Sequence, residues 1–170
     1  KLEDYATNLE TKVQDRTEAL RQSERDLTIR NWIAETFLSV PDDEMYAAVL
    51  RVLLESMESE YGIFGYIDEH GTLVIPSMTR DIWEQCQVPD KTFAYPRETW
   101  AGIWGRALVE RRTLYANEGL RVPQGHVPVT KVLVAPVIYR GEPIGLLEVG
   151  NKAAGYGERD KEFLETIIAY

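Results

Sequence analysis

At 170 residues the chain has room for one domain plus an extension, and 44% hydrophobic and 10% aromatic residues exclude a disordered polymer. A formal charge of −9 argues against a nucleic-acid partner, and no apolar run of about 18 residues is present to insert into a membrane. The single cysteine, Cys86, leaves no internal disulfide and suits a reducing cytoplasm, although a longer parent protein is compatible with a membrane anchor.

From Lys1 to about Phe37 there is no Gly or Pro, and Glu, Arg, Leu and Ala dominate, which predicts a long helix. A heptad places Ala6, Val13, Leu20, Leu27 and Ala34 on one seam position. The other position takes Leu2, Leu9, Arg16, Ser23, Arg30 and Phe37, and its polar members weaken the seam and help fix register. This predicts a homodimer through a parallel two-stranded coiled coil, against the plainer alternative of a solvated helix lying on its own domain. Residues 1–38 are therefore read as a linker helix and 39–170 as the globular domain.

Pro41-Asp42-Asp43 starts a helix, continued by Met45, Ala48, Val49, Val52, Leu53 and Met57 at helical spacing and ending near Ser59. Gly62–Asp68 reads as a strand, Glu69-His70-Gly71 as a turn, and Thr72–Met78 as the hairpin partner. Residues 79–96 are irregular, with a short helix around Asp81–Gln87. Arg97–Arg112 is expected to be one helix whose stripe is Trp100, Ile103, Trp104, Ala107 and Leu108. A short strand at Thr113–Ala116 and a Pro- and Gly-containing loop from about Gly119 to Pro128 follow. Val132–Lys152 holds two apolar runs around a four-residue turn, Arg140-Gly141-Glu142-Pro143, the pattern of a β-hairpin. Glu158–Tyr170 begins a closing helix that reads as cut short, ahead of an output module.

In residues 41–170 this order of elements resembles the GAF domain, a small α+β sensor fold with a central antiparallel sheet flanked by helices. The segment Ala101–Asn117 is similar to the family's helix-then-strand block, and Val132–Lys152 to its terminal hairpin. Asn151-Lys152, Tyr156 and Asp160 resemble the Asn-Lys, aromatic, Asp signature of cyclic-nucleotide phosphodiesterase GAF domains, with a short spacing and Lys161 where an acid usually stands. The resemblance implies a structural Lys152–Asp160 ion pair. Leu9–Leu27 resembles the linkers between sensor modules of bacterial and archaeal kinases and cyclases. The chain is accordingly expected to be a non-catalytic regulatory module of a sensor histidine kinase or diguanylate-cyclase-type protein. Its partners would be adjacent sensor and output domains and an unidentified small-molecule ligand.

Catalytic signals are sparse. Neither a phosphate loop of the GxxxxGK[ST] kind nor a GxSxG elbow occurs, and His70 and His126 have no clustered Cys or His partners, so no metal site is expected. Some GAF proteins reduce methionine sulfoxide with several cysteines, whereas Cys86 stands alone. In a GAF fold the middle segment and the helix after it cover the ligand face. The candidate pocket residues are therefore Tyr66, Trp83, Cys86, Phe93, Trp100, Trp104, His126 and Glu148. The aromatics are equally compatible with plain core filling. Cys86 is either a small buried hydrophobe or, like His126, an anchor for haem or a tetrapyrrole. His126 otherwise reads as a hydrogen-bonded loop residue, a metal ligand, a contact for an anionic ligand when protonated, or a pH-sensitive latch. Glu148 interrupts an apolar strand and either faces solvent or recognises an amine or a nucleobase edge. Arg97 and Arg106 are either surface arginines or contacts for a ligand carboxylate. A domain that binds nothing and only relays strain between neighbours is the remaining alternative.

Overall fold

The computed structural model describes residues 2–39, 42–79, 85–88 and 92–169, with Leu2, Glu3, Phe37, Asp42 and Asp43 described by backbone alone. Helix α1, Leu2–Ser39, runs into α2, Asp42–Ser56. The strands are β1 (Tyr61–Ile67), β2 (Leu73–Met78), β3 (Ala94–Tyr95), β4 (Leu114–Ala116), β5 (Val132–Tyr139) and β6 (Glu142–Gly150). Helix α3 is Gly102–Glu110 and α4 is Glu158–Ile168. The strands form a six-stranded sheet in the order β3-β2-β1-β6-β5-β4, and every pairing is antiparallel. This is the α+β architecture, with a leading helix, that the sequence pattern implies.

Alternation along the central strands divides the core in two. Leu133 and Ala135 of β5, Leu147 and Val149 of β6, and Phe64 of β1 point to one face. There they pack against Leu50 and Leu53 of α2 and Leu164 and Ile167 of α4. Val132, Val134, Leu146 and Ile63 point to the other face, where Ala107 and Leu108 of α3 cover part of the sheet. A register shift between Phe64 and Tyr66 places an extra β2 residue beside the exposed Pro76, a position where a missing N–H costs no ladder bond.

Two local expectations are corrected, and part of α1 is found seated on its own domain, as one of its two alternatives has it. Arg97–Arg112 is not one helix. A 3-10 turn at Arg97–Thr99 is followed by extended Trp100 and Ala101, and Gly102 has φ +62°, a left-handed conformation that glycine adopts without strain. The interruption lets Gly105 approach the Trp100 backbone, where an added Cβ would lie 2.6 Å from the carbonyl carbon. The β5–β6 turn uses two residues rather than four: Arg140 and Gly141 have φ +51° and +85°, and Tyr139 pairs directly with Glu142. Positive φ at both central residues matches the right-handed strand twist of a primed turn. Finally, α1 does not run free along its whole length. Ile29 and Ile33, one helical turn apart and off the heptad seam, are buried in the core beside α2. Arg25 Nη2 also donates to the Ser56 carbonyl at 3.2 Å. Among the seam residues Leu9, Val13, Leu20, Leu27, Ala6 and Ala34 are exposed, and the Leu2 side chain lies outside the description. Among the described residues no helix is long and apolar enough to cross a membrane.

Candidate ligand-binding site

The face of the sheet not filled by helices encloses a cavity of about 490 Å³. Its floor is β1, β2 and β6, which contribute Tyr61, Ile63, Ile75, Leu146 and Glu148. Trp104 of α3 and Tyr95 of β3 form a wall and meet edge to face at 5.6 Å between centroids. Cys86 and Val88 approach from one connecting segment, and Pro123, His126 and Val127 from another. The two segments are tied by the Gln87 N–H, which donates to the Gly125 carbonyl at 2.8 Å. Gly125 has φ +87°, and a Cβ there would lie 2.9 Å from Gln87 O, so the closure depends on glycine.

The cavity is apolar with two exceptional polar groups. Glu148 sits opposite Ile63 and Val134 in the neighbouring strands and is only 8% exposed. Among the described residues no hydrogen bond reaches its carboxyl group, and burial pushes its pKa up to about 7. Tyr61 is 3% exposed, and its hydroxyl has no hydrogen-bond partner among the described residues. Burial first, and the Glu148 carboxylate second, raise the Tyr61 pKa well above the phenol range. Tyr61 lies across from Gly150, where a Cβ would come within 1.9 Å of its ring, so this ring position requires glycine opposite it. The threonine hydroxyls at the cavity are engaged. Thr79 Oγ1 accepts from Gly62 N at 2.9 Å, and Thr99 Oγ1 donates to Pro96 O at 2.7 Å. His126 Nδ1 lies 2.8 Å from Val127 O, which leaves Nε2 for another partner.

Of the residues singled out from the sequence, Cys86, Trp104, His126 and Glu148 therefore converge on one cavity. Trp83 lies outside the described residues. Tyr66 shares strand parity with Phe64, so it belongs to the helix-covered face, and it is half-exposed at the end of β1. Phe93 is also half-exposed; its carbonyl accepts from Ile75 N at 2.8 Å. Trp100 packs on the cluster around Leu108, and its indole N–H donates to Tyr95 O at 3.0 Å. Arg97 stacks over the Trp100 ring at 5.6 Å, and Arg106 pairs with Glu110 at the exposed surface. Tyr61 was missed, although its alternation with Ile63 and its pairing with Gly150 would have placed it on the cavity side.

Comparison with known proteins completes the description. The GAF domain family profile matches residues 40–170. The chain belongs to the GAF domain family. A methyl sulfide methyltransferase-associated sensor of Methanosarcina acetivorans is 30% identical over 118 residues, which are 65% of this chain and 12% of that protein. The GAF domain of a phosphoenolpyruvate-protein phosphotransferase from Coxiella burnetii superposes with a TM-score of 0.66 at 17% identity, covering 85% of this chain and 89% of that one. Free methionine-R-sulfoxide reductase from Neisseria meningitidis, solved with its substrate, gives 0.63 at 19% identity, covering 86% and 83%. At these identities the structural likeness shows the fold. At the level of the family, the chain is a sensory or regulatory module.

In this GAF domain the Asn-Lys, aromatic, Asp residues stand outside the cavity lining. Lys152 Nζ lies 2.5 Å from Asp160 Oδ1, and Asp160 Oδ2 accepts from the Gly157 N–H at the start of α4. Tyr156 Oη lies 2.8 Å from Ser59 Oγ, and burial pushes its pKa up to about 12. Asn151, at φ +60°, accepts from Thr130 N and donates to Pro128 O. These contacts clamp the exit of β6 onto α4 and onto the loop before β5.

Proposed function

We propose that this GAF domain is a non-catalytic small-molecule sensor that reports cavity occupancy through the helices entering and leaving it. The cavity carries this reading: it is large enough for a metabolite, mostly apolar, and holds an acid and a phenol with no partners among the described residues. The sheet gives a physical route outward. Residues alternating with Tyr61, Ile63 and Glu148 along β1 and β6 are Phe64, Leu147 and Val149, which pack in the cluster that seats Ile29, Ile33 and Leu164. Tyr61 also rests on Gly150, immediately before the Asn151-Lys152 clamp on α4. A ligand shifts such a linkage only by binding two arrangements with different affinity.

The exposed Leu9, Val13, Leu20 and Leu27 support a homodimer through α1, with residues 1–38 as the linker and 39–170 as the sensor. The parent would be a cytoplasmic histidine kinase or diguanylate-cyclase-type regulator, and similarity to a protein named as a sensor agrees with a regulatory role. Native mass spectrometry of gently purified protein tests the proposal. A mass added to the folded chain supports a sensor; a clean species under conditions that preserve weak complexes favours a spacer that binds nothing.

Cys86 and His126 at one cavity favour a second reading, a haem or tetrapyrrole sensor. A thiolate at Cys86 or Nε2 of His126 fits iron, and the aromatic walls suit a flat macrocycle. Titration with haemin would then give a Soret band that Cys86→Ala or His126→Ala abolishes.

A further inference from the structure

Glu148 is the acid of the cavity lining, and among the described residues no Lys or Arg lines it. His126 stands at the loop-covered side, with Nδ1 against the Val127 carbonyl. The floor around Glu148 consists of Ile63 and Val134 across the strands and Leu146 along its own. Among the described residues a carboxyl group placed there gains no partner, whereas burial without one strongly disfavours the ionised form. Around it stand three aromatic rings, Tyr61, Tyr95 and Trp104, whose faces attract positive charge. Tyr61 Oη is sealed from the cavity, so Tyr61 contributes its ring rather than its oxygen.

Resting on the sensor reading above, we infer that the ligand is a small, largely apolar molecule carrying one protonated nitrogen. Glu148 is its counter-ion, and the rings of Tyr61, Tyr95 and Trp104 enclose the apolar part. Anionic ligands, phosphate esters and cyclic nucleotides among them, meet an acid and, among the described residues, no Lys or Arg. The same geometry makes binding pH-dependent in a defined direction. An ammonium ion needs Glu148 ionised, so affinity rises as pH increases through about 7, provided the ligand nitrogen stays protonated. Tyr61, Tyr95, Cys86 and His126 are the other described titratable groups facing the cavity, from β1, β3 and the connecting segments, and Tyr156 lies on the helical face of the same sheet. The tyrosines stay neutral throughout that range because their own pKa values are raised.

The test uses three matched probes on the whole chain: 2-phenylethylammonium, 2-phenylethanol and 3-phenylpropionate, each titrated by calorimetry near pH 8. The ammonium is expected to bind at least about ten-fold more tightly than the alcohol, and the carboxylate not at all. Glu148→Gln brings ammonium and alcohol to within about two-fold while leaving the alcohol unchanged. Equal or tighter binding of the alcohol, or preference for the carboxylate, overturns the charge assignment but leaves the sensor reading standing. Binding of none of the three up to about 10 mM overturns the assignment too, and with an empty native mass spectrum it removes the sensor reading with it.

Discussion

Strand β6 shows two solutions to one problem within a few residues. Leu147 and Val149 face the helices and are packed solid among Leu53, Leu133 and Leu164. Leu146, Glu148 and Gly150 face the other way, onto a cavity with a buried acid and onto the ring of Tyr61. The first face follows the ordinary rule that apolar residues fill space with other apolar residues. The second keeps space open and buries groups that the fold leaves unpaired. One face holds the domain together, and the other leaves a cavity open.

The largest effect should come from the packed face. Leu53 is fully buried, so Leu53→Ala should cost about 4 kcal/mol in urea denaturation, the lost transfer energy plus a new cavity. Leu146→Ala removes the same atoms beside an existing cavity, so its cost should fall to about 2 kcal/mol. Equal costs would mean that the open face is packed as tightly as the helical one.

Next comes Glu148→Gln, with its sign fixed by linkage. The folded-state pKa of Glu148 is raised from 4.5 to about 7, so the folded protein holds this proton more tightly than the unfolded chain. The contribution is fully present below about pH 4.5 and is lost as pH rises through about 7. Glu148→Gln should therefore match the parent in acid and exceed it near pH 8 by on the order of 3 kcal/mol. A variant less stable near pH 8 would show that the carboxylate has a favourable partner in the fold.

The sequence showed the packed face more readily than the open one, for a physical reason. Periodicity reports which residues avoid water, so α2, the β5–β6 hairpin and the Trp104–Leu108 stripe were readable. A cavity is defined by register and chain reversals, which periodicity does not carry. Tyr66 and Phe93 were chosen as aromatics near the right segment, but strand parity turns Tyr66 to the helical face. Trp100 was placed on the α3 stripe because nothing in its spacing reveals the left-handed Gly102. Ile29 and Ile33 were overlooked because the heptad draws attention to a different side of α1. Cys86, His126 and Glu148 were found through chemical type, which survives ignorance of register.

Smaller, and opposite in sign to the packing loss, is Tyr61→Phe. On the helical face Tyr156 has its hydroxyl satisfied by Ser59, whereas the Tyr61 hydroxyl is buried without a partner among the described residues. Removing the Tyr61 oxygen should stabilise the unliganded protein by about 1 kcal/mol, while Tyr156→Phe should destabilise it by a similar amount, both read from denaturation midpoints. Loss of stability in Tyr61→Phe would place a hydrogen-bond partner at that oxygen.

The smallest effect on the domain itself is expected on α1, where the same division recurs along one helix. Ile29 and Ile33 are buried in the domain, but Leu20 is 62% exposed and touches none of the core. Leu20→Glu should leave the melting of the globular part within about 0.5 kcal/mol of the parent, as for other surface changes. A charge on a heptad seam nonetheless opposes pairing of two copies, because each seam side chain must enter a hole lined by its partner. Light scattering should therefore show a dimer for the parent and a monomer for Leu20→Glu, at nearly equal domain stability. A monomeric parent would confine the role of α1 to the Ile29–Ile33 anchor, and the signal would then have to leave the domain through α4.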